Sequence, residues 1–136
     1  MSPGVTVVDA SALLALLFDE PGAHVVAEMI ASGASVSTVN FAEVATVLTR
    51  NDRDAETLLE SVRAQVDVEP FSYADALEVA ALYPRVSGHG LSLGDRACLA
   101  LARRLDVPAV TAEHVWAELW VDVRVQLIRP GRRPGR

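Results

Sequence analysis

The chain contains no lysine: all 12 of its basic residues are arginine. That absence excludes chemistry built on a lysine, such as the Walker phosphate-binding loop and Schiff-base catalysis. A single cysteine, Cys98, excludes an intramolecular disulfide and a cysteine-based zinc site; a lone free thiol is expected in the core. No apolar run approaches the ~18 residues of a membrane-spanning helix. The opening Met1-Ser2-Pro3-Gly4-Val5 has neither a basic stretch nor an apolar one of the signal-peptide kind. A cytoplasmic protein without membrane contact is therefore expected.

What the sequence does have is apolar bulk and acid. Its 136 residues, 51% of them hydrophobic, suit one domain with one buried core. The net charge of −6 is unevenly spread. Arg129, Arg132, Arg133 and Arg136 fall in the last eight residues, which hold no acid; residues 1–128 hold 8 arginines against all 18 acids, a net of −10. Nucleic-acid binders are usually basic, but divalent cations in an acidic site reverse the local sign.

Val5-Thr6-Val7-Val8 is a β-branched run, expected to form a central strand that ends at Asp9. Helical spacing then marks Ala10–Leu17, a helix after Pro21-Gly22 (Ala23, Val26, Ala27, Ile30), another through Phe41, Val44, Ala45 and Leu48, and a fourth through Ala55, Leu58, Leu59 and Val62. Ala34–Ser37 and Val66–Glu69 read as strands. Residues 73–83 read as a helix stopped by Pro84, and Val86–Leu91 as a glycine-bearing loop. Leu93–Leu105 is a strong helix, followed by a strand at Ala109–Thr111, a short helix around 112–118 and an edge strand at 123–127, where Val123, Val125 and Leu127 alternate. Strands alternating with helices imply an α/β fold, a parallel sheet covered on both faces. The domain spans residues 1–128; the tail 129–136 reads as disordered.

Four acids fall near the carboxyl ends of these strands, where open parallel sheets bind ligands. Asp9 closes the first strand, Glu43 begins the helix after the second, Asp95 begins the strong helix, and Glu113 follows Ala109–Thr111. Each has a purely structural explanation. Asp9 suits an N-cap, Asn40-Phe41-Ala42-Glu43 matches a capping box, and Ser92-Leu93-Gly94-Asp95 is a weaker version of one. Glu113 suits the positive end of a helix. Together they demand more. Glu43 sits in the apolar stretch Phe41-Ala42-Glu43-Val44-Ala45, and Asp9 ends a buried strand. Buried acids cost several kcal/mol each unless paired or metal-bound. With no lysine and with Arg96 the nearest arginine in sequence, Mg²⁺ or Mn²⁺ is the simplest partner for such carboxylates.

Four segments, Val7-Val8-Asp9-Ala10-Ser11, Asn40-Phe41-Ala42-Glu43-Val44, Leu91-Ser92-Leu93-Gly94-Asp95-Arg96-Ala97-Cys98-Leu99-Ala100 and Val110-Thr111-Ala112-Glu113, resemble in order and spacing the PIN-domain family, specifically the VapC toxins of toxin–antitoxin pairs. The resemblance runs from Val7 to about Leu127. It implies a three-layer sandwich around a mainly parallel five-stranded sheet, and Mg²⁺- or Mn²⁺-dependent cleavage of RNA by a homodimer held silent by a VapB-like antitoxin. Asp9, Glu43 and Asp95 match the family's acidic triad. Glu113 stands where the family has aspartate; its extra methylene shifts the carboxylate by roughly one bond length, more than the ~0.5 Å a functional geometry tolerates. Ser11 and Thr111 match hydroxyl positions beside the acids. The cation would polarise a phosphoryl oxygen and activate the water that attacks phosphorus.

Arg96 is a candidate phosphate contact or, equally, half of a structural ion pair. His24, His89 and His114 read as surface residues, with His114 placed to reach substrate from beside Glu113. Trp116 and Trp120 are read as packing under the last strand rather than stacking on bases. The arginine tail is a solvated end, or a contact for RNA phosphates. Receiver domains also place Asp after a strand but resemble this chain poorly, since they require a lysine. A phosphatase forming an aspartyl-phosphate usually carries a second acid where Ser11 stands. The stronger rival is a non-catalytic module of the same fold that binds RNA or antitoxin with an impaired metal site.

Overall fold

A computed structural model describes residues 5–131. Five strands form one sheet: β1 (Thr6–Val8), β2 (Ala34–Ser37), β3 (Asp67–Glu69), β4 (Ala109–Thr111) and β5 (Val125–Leu127). Their order is β3-β2-β1-β4-β5 and every pairing is parallel. The most β-branched strand is thus the central one. β5 pairs on one side only and is half-exposed, as its alternation predicts; it begins at Val125 rather than Val123.

Six helices cover the sheet: α1 (Ala10–Leu17), α2 (Ala23–Ser32), α3 (Thr38–Arg50), α4 (Ala55–Arg63), α5 (Tyr73–Val86) and α6 (Leu93–Leu105). Residues His114–Glu118 form a 3₁₀ turn, where a short helix was expected. Side chains alternate across a strand, and the core divides accordingly. Val8, Val36 and Val110 pack with Leu13, Val26, Val44 and Leu48 of α1–α3. Val7 and Ala109 pack with Val79 and Leu82 of α5, Cys98, Leu99 and Leu101 of α6, and Trp116. The result is the three-layer sandwich, with helices on both faces of a wholly parallel sheet.

β1 and β3 each begin one residue later than read, at Thr6 and Asp67, and two helix boundaries differ, each for a local reason. α5 runs through Pro84 to Val86. A proline removes one N–H and strains one turn, but Leu82 and Val86 are buried on either side of it and hold the last turn against the core. The other concerns α3, which starts directly where β2 stops. Ser37 is its N-cap, accepting from the Val39 N–H at 3.2 Å. Asn40 is therefore not a cap, and Glu43 lies in the second turn instead of the first.

Gly22, the N-cap of α2, has φ +96°, and a Cβ there would lie 2.7 Å from the Ile128 carbonyl oxygen. Only glycine lets the α1–α2 turn close onto the chain leaving β5. Of the arginine tail, Arg129, Pro130 and Gly131 are described, and Arg129 donates to the Pro21 carbonyl at 2.9 Å. The expectation for 132–136 falls outside the described residues.

Candidate metal centre

Asp9 stands at the carboxyl end of the central strand, 2% exposed. It shares its sheet face with Val7, the face that α6 covers. Its carboxylate does two things at once. Oδ1 caps α1 by accepting from the Ala12 N–H at 2.8 Å, as the N-cap reading requires. The two oxygens also accept from Ser11 Oγ (2.8 and 3.0 Å) and from Thr111 Oγ1 (2.5 Å). Thr111 ends β4, the neighbouring strand, and the β1–β4 register brings it opposite Asp9. Ser11 Oγ accepts in turn from the Ala112 N–H at 2.9 Å.

Despite these bonds, burial raises the Asp9 carboxyl to about 6, with Thr111, Ala12 and Ser11 opposing the rise and the negative charge of Asp95 adding to it. The desolvation of a carboxylate outweighs three hydrogen bonds to it.

Asp95 is the third residue of α6. Its Oδ2 accepts from the Ser92 N–H at 2.9 Å while Ser92 Oγ accepts from the Asp95 N–H at 3.1 Å, a complete capping box. Glu43 comes from α3, half-buried. Burial raises its carboxyl above the ordinary value, an Asn40 hydrogen bond lowers it, and Asp95 raises it again. Asp95 therefore presses electrostatically on both other acids. All three act on Cys98, one turn further along α6, whose fully buried thiol is raised first by burial and then by Asp9, Asp95 and Glu43. Of the four acids predicted, Asp95 is thus the one near enough to bear on both Asp9 and Glu43.

Glu113 is different. It is exposed and stands at the N-terminus of the 3₁₀ turn, as the structural explanation requires, though its side chain makes no capping hydrogen bond there. Its N–H donates to Thr111 Oγ1 at 3.0 Å, which ties its backbone to the same strand end and leaves the carboxylate outside the group of three. Arg96 turns away from the acids. It donates to the Val79 carbonyl at 3.1 Å and lies over the Tyr83 ring, 5.5 Å from its centre. His24 is exposed, while His89 and His114 are half-buried. Trp116 is buried as expected, but Trp120 is 88% exposed and does not pack.

Asn40, too, was misread from the sequence. Asn40, 1% exposed, sends its amide nitrogen both to Glu43 Oε1 and to the Gly94 carbonyl, each at 3.0 Å. It thereby fastens Glu43 to the start of α6. Gly94 makes room for this: a Cβ there would stand 2.0 Å from Glu43 Oε1. The Asn-x-x-Glu spacing was the available signal, read as a cap because Ser37 was not recognised as the true one.

Among the described residues, no arginine pairs with Asp9, Glu43, Asp95 or Glu113. Nor, among the described residues, do any three His, Cys, Asp or Glu side chains stand close enough together to hold a metal ion as they are. What the region offers is oxygen. Besides the carboxylates, the buried Asn40 Oδ1 has no hydrogen-bond partner. Acceptors outnumber donors, the donor set that suits a hard divalent cation.

No curated protein sequence matches the chain. Solved structures are similar in fold. VapBC2 from Rickettsia felis bound to a promoter DNA fragment matches with a TM-score of 0.73 at 12% identity, over 90% of this chain and 97% of that one. DNA-bound VapBC from Salmonella typhimurium gives 0.69 at 12% identity, covering 95% and 100%. VapC20 from Mycobacterium tuberculosis, a toxin that cleaves the sarcin-ricin loop, gives 0.68 at 21% identity, covering 88% and 98%. The sequence pattern of the PIN domain matches residues 6–120, from the first residue of β1 to beyond the 3₁₀ turn and so across all three clustered acids. With the same parallel sheet carrying those acids at its carboxyl edge, the chain belongs to the PIN-domain family.

Proposed function

We propose that the chain is a Mg²⁺- or Mn²⁺-dependent endoribonuclease acting as the toxin of a toxin–antitoxin pair. One observation carries the reading: Asp95 bears electrostatically on both Asp9 and Glu43, acids from three separated segments near the carboxyl edge of the sheet, and among the described residues no arginine pairs with any of them. A desolvated carboxylate raised to about 6 and close to a second acid is poorly placed for structure alone. It is well placed to bind a metal.

In this reading Asp9 and Asp95 hold the ion, with Glu43 as a further ligand and Glu113 as an outer one. Ser11 and Thr111 fix the orientation of the Asp9 carboxylate through the bonds described above, and Asn40 does the same for Glu43. The bound ion supplies Lewis acidity at a phosphoryl oxygen and an activated water. Arg96, tied to Val79 and Tyr83, is assigned to packing between α5 and α6.

The likeness to VapBC structures supports a VapB-like antitoxin as the inhibiting partner; RNA as substrate and a second copy of the chain in a homodimer complete the proposal. Among the described residues no helix is long and apolar enough to cross a membrane.

The test is cleavage of total RNA by the purified chain in Mg²⁺ and in Mn²⁺, beside Asp9→Asn, which keeps the shape of the side chain and removes its charge. Fragments that require the metal are expected from the wild type, with at least about a 100-fold loss in the variant, beyond the 10–100-fold typical of residues that only support a metal ligand. Identical behaviour of the two proteins across several RNA classes would remove the nuclease reading and leave a binding module of the same fold.

A further inference from the structure

At the carboxyl ends of β4 and β5, on the side of the α1–α2 turn, lies a hollow of about 720 Å³ lined by Pro21, Ala112, His114, Arg129, Pro130 and Gly131. We infer that it is the subsite for a nucleobase of the RNA, adjacent to the phosphate handled at Asp9; the inference rests on the nuclease reading for its substrate. Four observations lead to it.

The first is position. Ala112 follows β4 directly and Arg129 follows β5 by two residues, so the hollow opens at the carboxyl edge of the sheet, the edge that Asp9 occupies. The link is short: the Ala112 N–H donates to Ser11 Oγ, and Ser11 donates to Asp9. The second is size, which lies within the ~300–1,000 Å³ usual for sites that enclose a small molecule.

The third is the chemistry of the walls. Pro21, Pro130 and Ala112 are apolar, while His114 and Arg129 add an aromatic ring and a planar cation. Single-stranded RNA is recognised by surfaces of this kind, where a base stacks on a flat group and its edge meets polar atoms. The walls are also held in place. His114 Nε2 is hydrogen-bonded with the Arg129 carbonyl at 3.0 Å, and a Cβ on Gly131 would lie only 3.0 Å from His114 Cδ2. Arg129 Nη1 donates to the Pro21 carbonyl, and the same nitrogen is 3.8 Å from Glu20. A preformed pocket loses less entropy on binding.

The fourth is charge. In a chain otherwise dominated by acid, Arg129 opens the acid-free segment that also contains Arg132, Arg133 and Arg136. The densest positive charge in the sequence therefore begins at the wall of the hollow. Arg129 is the cation that the hollow itself offers to a flanking phosphate, with Glu20 3.8 Å from its Nη1. The flat His114 ring and Arg129 guanidinium in the walls suit a nucleobase as the occupant.

The experiment uses the full chain carrying Asp9→Asn, in Mg²⁺, with fluorescent single-stranded RNA decamers of A, C or U, and with 5-iodouracil in the U series for photocrosslinking. Crosslinks are expected within residues 112–131. Two further changes separate binding from folding: His114→Ala removes the ring, and Gly131→Phe fills the hollow while His114 remains. Each is expected to weaken binding by anisotropy about 5- to 100-fold, the range for one lost base stack, with an unchanged Tm. No RNA binding, crosslinks only outside 112–131, or both variants binding within twofold of the parent overturns the subsite. So does intact RNA binding with loss of antitoxin binding, which gives the hollow to the antitoxin. Metal-dependent cleavage by the wild type alongside any of these results sinks the subsite alone. Crosslinks in the hollow without any cleavage by the wild type sink the nuclease reading alone.

Discussion

Inside the protein the Asp9 carboxyl is raised from 3.8 to about 6, first by burial, and this has a consequence for stability. Between those values the folded chain keeps a proton that the unfolded chain releases. Stability of the metal-free protein therefore falls as pH rises from about 4 to about 6, and at neutral pH the ionised Asp9 costs about 3 kcal/mol. Asp9→Asn is expected to flatten that slope. Urea midpoints in chelator near pH 4.5 and pH 7 measure it, and equal slopes for variant and wild type would refute the burial explanation. Asp9 was legible in the sequence because a run of β-branched residues ends on it. Asn40 was legible only as a residue type. Its partner Gly94 is 54 positions away, and no local pattern announces a hydrogen bond across that separation.

Between elements, the contact of α3 with α6 sets the position of Glu43. Gly94→Ala tests it. In an exposed helix the change would favour folding by ~1 kcal/mol, but here the new Cβ would fall 2.0 Å from Glu43 Oε1. The end of a flexible side chain can move, so the fold is expected to survive with its Tm nearly unchanged. Metal-dependent cleavage is expected to fall about 10–100-fold, as when a supporting residue of a metal site is lost. Equal activity with an unchanged fold would show that the position of Glu43 does not matter. Several elements were readable to the residue, among them Ala10–Leu17, Ala34–Ser37, Leu93–Leu105 and Ala109–Thr111. Each is bounded by a cap or a glycine or proline nearby. The ends of α3 and α5 were not, because a strand that flows into a helix leaves no break, and a core contact at Val86 overrides a proline.

For the molecule as a whole, the unbalanced carboxylates predict strong coupling between metal and stability. A ligand that binds only the folded state at 100 times its Kd adds about 2.7 kcal/mol, roughly 10 °C in Tm for a domain of this size. Saturating Mn²⁺ is expected to give a rise of this order, chelator to reverse it, and Asp95→Asn to abolish it. Differential scanning fluorimetry reads all three, and a Tm indifferent to Mn²⁺ would contradict the metal site.

The sequence by itself determined the alternation of strands and helices and the central place of the first strand, and it singled out the acids as candidates. These follow from periodicity and from the expense of burying charge, both of which are local. Only the tertiary structure decided which acids meet. The strand order β3-β2-β1-β4-β5 sets Thr111 against Asp9, and the packing of α6 on the sheet and against α3 brings Asp95 and Glu43 to the same edge. Glu113, fourth in the sequence pattern, ends up exposed, because the chain turns at Ala112 before its side chain can reach the others. Such meetings depend on register and helix packing between residues up to a hundred positions apart, and the free energy that fixes them comes from the whole core.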